Sequence, residues 1–577
     1  MPSLLRHCRP PLHRPLLALI LLILSFAAAA QPPAAAVASA HPLATEAGLE
    51  VLRKGGNAFD AAVAVAAALA VVEPYGSGLG GGGFFLLHRA ADGHQVVVDA
   101  RETAPLDAHA GTYLDAAGQP RPRASLDGPL AAAIPGTPAA LEHLSRRYGA
   151  LTLETSLAPA IRLAEEGFVV DEHYRRMAAY RLQALRADPE ARRIFLLDGE
   201  VPPAGWRLRQ PELAETLRRI AAQGASGFYH GPVAQRLVAG VRAGGGIWRD
   251  EDLARYRIEE RPPLVGHYRG MRVVSAPPPS AGGVGLITML NILDGYRLET
   301  LSPAQRIHLT AEAMRRAYRD RSEHLGDPAF TDIPLARLLS PDYAAGLRAG
   351  IHPERAGHSA LLAPPAAADT APGEHTTHFS ILDGEGNRVA ATLSINTMFG
   401  AAFVPPGTGV LLNNEMDDFA TRPGGANLYG LVESGANAIA PGKRPLSSMA
   451  PTFLESGERI AILGTPGGSR IVTMVLLAAL EFAAGGDAEA LVARPRFHHQ
   501  YLPDQIQHEP NALTPEVQER LRAMGHELKD IGRRYGDMQV VLWDCRRNQV
   551  QAASDPRGIG AARTLAVRAA PRQAACR

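Results

Sequence analysis

Cysteine is nearly missing: the 577 residues hold three, at positions 8, 545 and 576. No Cys-x-x-Cys occurs, so zinc-ribbon and thioredoxin-type chemistry have no footing. Lysine is as scarce, with Lys54, Lys443 and Lys529 alone, so arginine carries nearly all the positive charge. Those arginines are dispersed and balanced by acids to a net charge of +1, which gives no support for a nucleic-acid partner or general anionic-surface binding. Long apolar runs are also few: Leu16 to Phe26 follows Arg6, Arg9 and Arg14 and precedes Ala27 to Ala30. A basic n-region, a short apolar core and a small-residue site make residues 1–30 a signal peptide, cut near Ala30-Gln31. The rival reading, a membrane anchor, needs about 20 residues to cross a ~30 Å core, and this run is too short. The remainder is expected to be soluble and exported, periplasmic or secreted, with no membrane association. In such an oxidising compartment Cys545 and Cys576 can pair.

The length calls for two lobes or one large layered domain. Pro42 to Lys54 reads as a helix stopped by Gly55-Gly56, and Asn57 caps an Ala-rich helix to Val72 that is apolar all round and therefore buried. Ser302-Pro303-Ala304-Gln305 is a capping box opening a helix through Arg319. Thr377 to Leu382 and Val389 to Ile395 form a hairpin across Asp383-Gly384-Glu385-Gly386. Ile460 to Leu463 is a short strand, followed by a helix from Ile471 to Phe482. Strands mixed with helices, without βαβ alternation, predict an α+β protein of stacked layers.

Gly76-Ser77-Gly78-Leu79-Gly80-Gly81 matches G-x-G-x-x-G, but a helix and Pro74 precede it and a strand follows, the reverse of a dinucleotide site. It reads as a tight loop, and no cofactor is expected. His375 and His378 with Glu374 resemble a metal cluster, yet three apart on a strand they face opposite ways, and the adjacent His498-His499 do the same. No metal is expected.

The informative stretch is Thr376-Thr377-His378-Phe379-Ser380, after the Pro/Ala-rich run to His375. If the bond before Thr376 is cut, that residue carries both a hydroxyl and an α-amine of pKa about 7.7–8.0. That is a recognised self-activated nucleophile. Gly464-Thr465-Pro466-Gly467-Gly468-Ser469-Arg470 lies between strand and helix, where converging N–H groups hold either a phosphate or a developing oxyanion.

These segments, together with Leu412-Asn413-Asn414-Glu415-Met416-Asp417-Asp418-Phe419, Lys443-Arg444-Pro445-Leu446-Ser447-Ser448-Met449, His41 to Gly48 and Arg101-Glu102-Thr103-Ala104-Pro105, resemble the gamma-glutamyltransferases (gamma-glutamyltranspeptidases). The likeness runs from about Val37 to Arg557. It implies a four-layer αββα sandwich of the N-terminal-nucleophile hydrolase type, made as a precursor that cuts itself between His375 and Thr376. The products would be a large subunit, residues 31–375, and a small subunit, residues 376–577, that stay together as a heterodimer.

By the same resemblance Thr376 is the nucleophile and Gly467 and Gly468 form the oxyanion hole. Ser394 stands where many members have a second threonine. Arg101, Ser447 and Ser448 take the α-carboxylate of a γ-glutamyl group, and Asn396, Glu415 and Asp418 its ammonium. Pro423 to Ser434 matches a lid in which Tyr429 closes against Asn396. Taken singly, Asp417-Asp418 also reads as a solvated acidic pair and Ser447-Ser448 as a cap. The implied substrates are glutathione and related γ-glutamyl compounds, with water, amino acids or peptides as acceptors. The alternatives are a cephalosporin or glutaryl acylase of the same superfamily, whose substrates lack the ammonium, and a non-catalytic periplasmic binding protein.

Overall fold

A computed structural model describes residues 31–362, 376–420, 427–431 and 434–567. The proposed signal peptide, His375, Cys576 and much of the expected lid therefore lie outside the described residues. No helix among the described residues is long and apolar enough to cross a membrane. Cys545 is disulfide-bonded.

Two antiparallel sheets form the centre. The first has seven strands. In chain order these are β1 (Ala34–Ser39), β2 (Gly82–Arg89), β3 (His94–Ala100), β4 (Glu259–Arg261), β7 (Thr377–Leu382), β8 (Arg388–Ser394) and β13 (Ala561–Ala566). The second has six: β5 (Leu264–Tyr268), β6 (Met271–Ser275), β9 (Thr452–Glu455), β10 (Arg459–Gly464), β11 (Gln539–Asp544) and β12 (Gln549–Ser554). Across the first sheet the order is β13-β1-β7-β8-β2-β3-β4, and across the second β12-β11-β10-β9-β6-β5.

Strand alternation sorts the first sheet's side chains into two cores. Phe85, Leu87, Val98, Phe379, Ile381 and Ala391 face an outer helical layer. Phe84, Leu86, Val97, Leu382 and Ala390 face the second sheet, whose other side is covered by helices. The result is the expected αββα layering.

The local signals explain the helices. Helix α1 (Pro42–Arg53) is followed by α2 (Ala58–Val72), whose N-cap Asn57 and Asp60 exchange capping hydrogen bonds. Every residue of α2 is buried, as its apolar circumference requires. On the other side lie α3 (Gly282–Leu293), α4 (Pro303–His324) and α5 (Ile471–Ala483). Helix α4 opens on the Ser302/Gln305 capping box but runs past the expected end at Arg319 to His324. Its apolar stripe fades there, and buried polar contacts take over: Asp320 accepts from the Tyr343 hydroxyl and pairs with Arg319.

The Gly-rich loop before β2 behaves as a close-approach turn. A Cβ on Gly80 would lie 2.0 Å from the Leu411 carbonyl oxygen, and one on Gly81 2.1 Å from that of Ser394.

One cluster was not legible in the sequence. His308 Nδ1 lies 2.7 Å from His526 Nε2, and the other His308 nitrogen is bonded to the His352 carbonyl at 2.8 Å. Neighbouring Glu312 is taken up by Arg315 at 3.3 Å, Arg316 at 2.5 Å and the Gly357 N–H at 3.0 Å. A carboxylate so engaged has little to offer a cation, and the group reads as a polar staple joining residues before and after position 376.

Candidate active site

Thr376 stands at the start of central strand β7 and is 7% exposed. The β7–β8 register pairs Thr377 with Leu393, so one step further sets Thr376 opposite Ser394. The Ser394 hydroxyl accepts the Asn396 N–H at 2.7 Å. Asn396 has φ +72°, an αL conformation that asparagine tolerates, and its side-chain amide donates to the Asn414 carbonyl at 2.9 Å. The chain thereby turns sharply out of β8 at the edge of the pocket.

The glycine run closes the other side. Gly467 and Gly468 have φ of +144° and +54° and lead through a single tight turn into α5. The Tyr429 ring lies on Gly468 so closely that a Cβ there would sit 2.4 Å from it. The Tyr429 hydroxyl donates to the Asn396 carbonyl at 2.9 Å, the contact expected of the lid.

Facing these is a buried charge cluster. Arg101, 1% exposed, donates to Glu415 at 2.7 Å and to Asp418 at 2.5 Å, while Glu102 lies 3.6 Å away. Its Nε reaches the Pro445 carbonyl at 3.1 Å, and the Tyr256 hydroxyl fixes its own carbonyl at 2.9 Å. Burial opposes the charge on Arg101, but Glu415, Asp418 and Glu102 outweigh it and hold the group protonated above its ordinary range. Burial lifts the Glu415 carboxyl well above the usual carboxylate range, with Arg101 opposing, and lifts Glu102 to about 7. Glu415 Oε1 is buried without a hydrogen-bond partner, an acceptor left open for a ligand donor.

The expected groups therefore meet in one small pocket: Thr376, Ser394, Arg101, Asn396, Glu415, Asp418, Tyr429, Ser447, Ser448 and Gly468 line it. Gly467 adjoins it without lining it. The expected division of labour at Arg101 is less simple than the motifs suggest, because its guanidinium faces the two acids that were assigned to the ammonium. Asp417 turns away, accepting from Ser125 at 2.7 Å and from the Leu428 N–H at 3.1 Å, and so anchors the base of the lid. Lys443 also serves structure, donating to the Ala436 and Ala438 carbonyls at 2.7 and 2.9 Å. His378 is buried and bonded to Thr392 and Ser380, and burial holds it neutral with a pKa near 3. His498 binds Thr473 and Gln500, and His499 binds Asp504. Sequence reasoning missed Arg321, which also lines the cavity and which no local motif marks.

The family model described as Gamma-glutamyltranspeptidase matches residues 44–565. A glutathione hydrolase proenzyme from Pseudomonas sp. (strain A14) is 46% identical over 85% of this chain and 86% of its own length. Among solved structures, a cephalosporin acylase from Bacillus halodurans superposes with a TM-score of 0.80 at 28% identity, covering 93% of this chain and 97% of its own. A Helicobacter pylori gamma-glutamyltranspeptidase chain gives 0.54 at 40% identity, covering 55% of this chain and 92% of its own. The extent of the family match and the relatives' identity place this chain in the gamma-glutamyltranspeptidase family.

Proposed function

We propose that this protein is an exported enzyme that cuts itself before Thr376 and then removes γ-glutamyl groups from glutathione and related amides. The group passes to water or to the amine of an amino acid or peptide. In maturation the Thr376 hydroxyl attacks the carbonyl carbon of residue 375. The C–N bond breaks, its nitrogen takes a proton as the new α-amine, and water hydrolyses the ester. In turnover the freed amine accepts the hydroxyl proton, the hydroxyl attacks the γ-carbonyl, and the departing amine is protonated. Gly467 and Gly468 N–H groups would hold the oxyanion, a task in which a single donor is worth about 10²–10³ in rate.

The observation that carries this reading is a clamp of both charges beside a threonine at the head of a strand. Asp418 and Glu415, with Asn396, suit an ammonium. Arg101, with Ser447 and Ser448, suits a carboxylate, in the planar geometry a guanidinium favours. Arg101 bridges the two acids at 2.7 and 2.5 Å, so a zwitterion would enter a cluster that already holds groups of both signs. Interlacing in the first sheet supports a lasting two-fragment enzyme. Strand β7 lies between β1 and β8, so strands from both sides of the cut share hydrogen bonds.

The acylase reading draws on the structural neighbour, but a ligand without an ammonium leaves the buried acceptor Glu415 Oε1 without a donor, which is costly. Quenching the enzyme during turnover tests the proposal. The small fragment should gain the mass of one γ-glutamyl group, located on Thr376. An adduct elsewhere, or none, would remove Thr376 from the chemistry.

A further inference from the structure

The cavity holds two guanidinium groups, and the reading above uses one. Arg101 is matched by Glu415 and Asp418. Arg321, on the later turns of α4, is 4% exposed and lines the same cavity as Thr376, Gly468 and Ser469. One turn earlier on that helix, the Tyr318 hydroxyl donates to the Ser469 carbonyl. The charge of Arg321 bears on that hydroxyl. Helix α4 is thus docked on the turn that follows Gly467, and its arginine stands on the oxyanion side of the pocket.

The γ-glutamyl group has its own two charges provided for near Arg101. Its reacting carbonyl must lie between Thr376 and the glycines. Whatever is attached beyond that carbonyl projects past them, away from Arg101. A buried guanidinium on that side is costly to keep and is suited to a carboxylate, which it can grip with two parallel N–H bonds.

We propose that Arg321 is a specificity-determining residue that binds the carboxylate of the amine half of the donor, and of the acceptor that follows it into the same space. The enzyme would then favour γ-glutamyl peptides ending in a free carboxylate over donors with a neutral departing group. Arg321 already has a partner, and the five donors of a guanidinium allow it to hold a ligand as well. The inference rests on the proposed γ-glutamyl chemistry at Thr376.

The test compares glutathione, its C-terminal amide and a γ-glutamyl anilide, using mature wild type, Arg321→Met and Arg321→Lys. Wild type should prefer glutathione to its amide by roughly 10-fold or more in kcat/KM, the scale of a hydrogen bond to a charged group. Arg321→Met should lose that preference, its kcat/KM falling about 10-fold or more further on glutathione than on the anilide, and Arg321→Lys should regain part of it. Equal losses on all three donors would assign Arg321 to structure, for instance holding the lid. A wild type indifferent to the amide would overturn the inference even if neither variant matures. A wild type that cleaves none of the donors would instead sink the γ-glutamyl reading itself.

Discussion

Replacing Asp418 with asparagine separates the two enzyme readings. The change keeps the side chain's shape and one of its two acceptor oxygens, and removes one charge from the clamp. Asp418 Oδ2 lies 2.5 Å from Arg101 and Oδ1 3.3 Å from the Asn427 amide, with the side chain 14% exposed. In the variant a substrate ammonium would face Glu415 as its one remaining carboxylate, inside a pocket too closed for water to compensate. Removing one partner of a desolvated charge pair costs about 2–5 kcal/mol. At about 1.4 kcal/mol per decade, that is a fall of roughly 30- to 5,000-fold in kcat/KM. The assay compares a γ-glutamyl anilide with a glutaryl anilide, which differ only by the α-ammonium. Asp418→Asn should cripple the first and affect the second far less, while self-cleavage before Thr376 proceeds. Equal losses on both, or a wild type that prefers the glutaryl compound, would refute the γ-glutamyl assignment and favour the acylase.

Gly468→Ala places a methyl group 2.4 Å from the Tyr429 ring at a residue with φ +54°, so both the lid and the N–H must shift. Its kcat should fall about 10²-fold or more in material that has already been cut, and undiminished turnover would remove Gly468 from the oxyanion hole. His526 is held neutral by burial, with neighbouring His308 adding to the shift, and its pKa is about 3 against 6.5 for an exposed imidazole. The unfolded chain therefore binds a proton that the folded one refuses. The stability His526 contributes is complete above about pH 6.5 and is lost as pH falls towards 3, at about 1.4 kcal/mol per pH unit. Urea midpoints should fall less steeply between about pH 6 and pH 4 in His526→Gln than in wild type, and identical slopes would exclude this group as a source of acid sensitivity.

Local signals were legible where chemistry between near neighbours decides the structure. Asn57 and Asp60 announced α2, and Ser302 and Gln305 announced α4, because a capping box is complete within four residues. The β7–β8 hairpin was equally plain from its turn. The end of α4 was not, since Asp320 continues the helix through the Tyr343 hydroxyl, which comes from a later segment. The same limit applies to the site. The motifs named Arg101, Glu415 and Asp418, but Arg101 lies 314 and 317 residues from the two acids, and their direct pairing is set by the fold alone. Arg321 sits among several arginines on one helix, and no spacing separates the one that lines the cavity from those spent on Glu312 and Glu323.

The central claim is that Thr376 cuts the chain and then works from the new terminus. Intact mass and N-terminal sequencing of purified wild type and Thr376→Ala test it directly. Sharing 61.3 kDa evenly over 577 residues gives about 37 kDa for residues 31–375 and about 21 kDa for residues 376–577. Wild type should yield those two fragments, the smaller beginning Thr-Thr-His, and Thr376→Ala should remain one chain without turnover. A different first residue, or a Thr376→Ala chain that still divides at the same bond, would contradict the account.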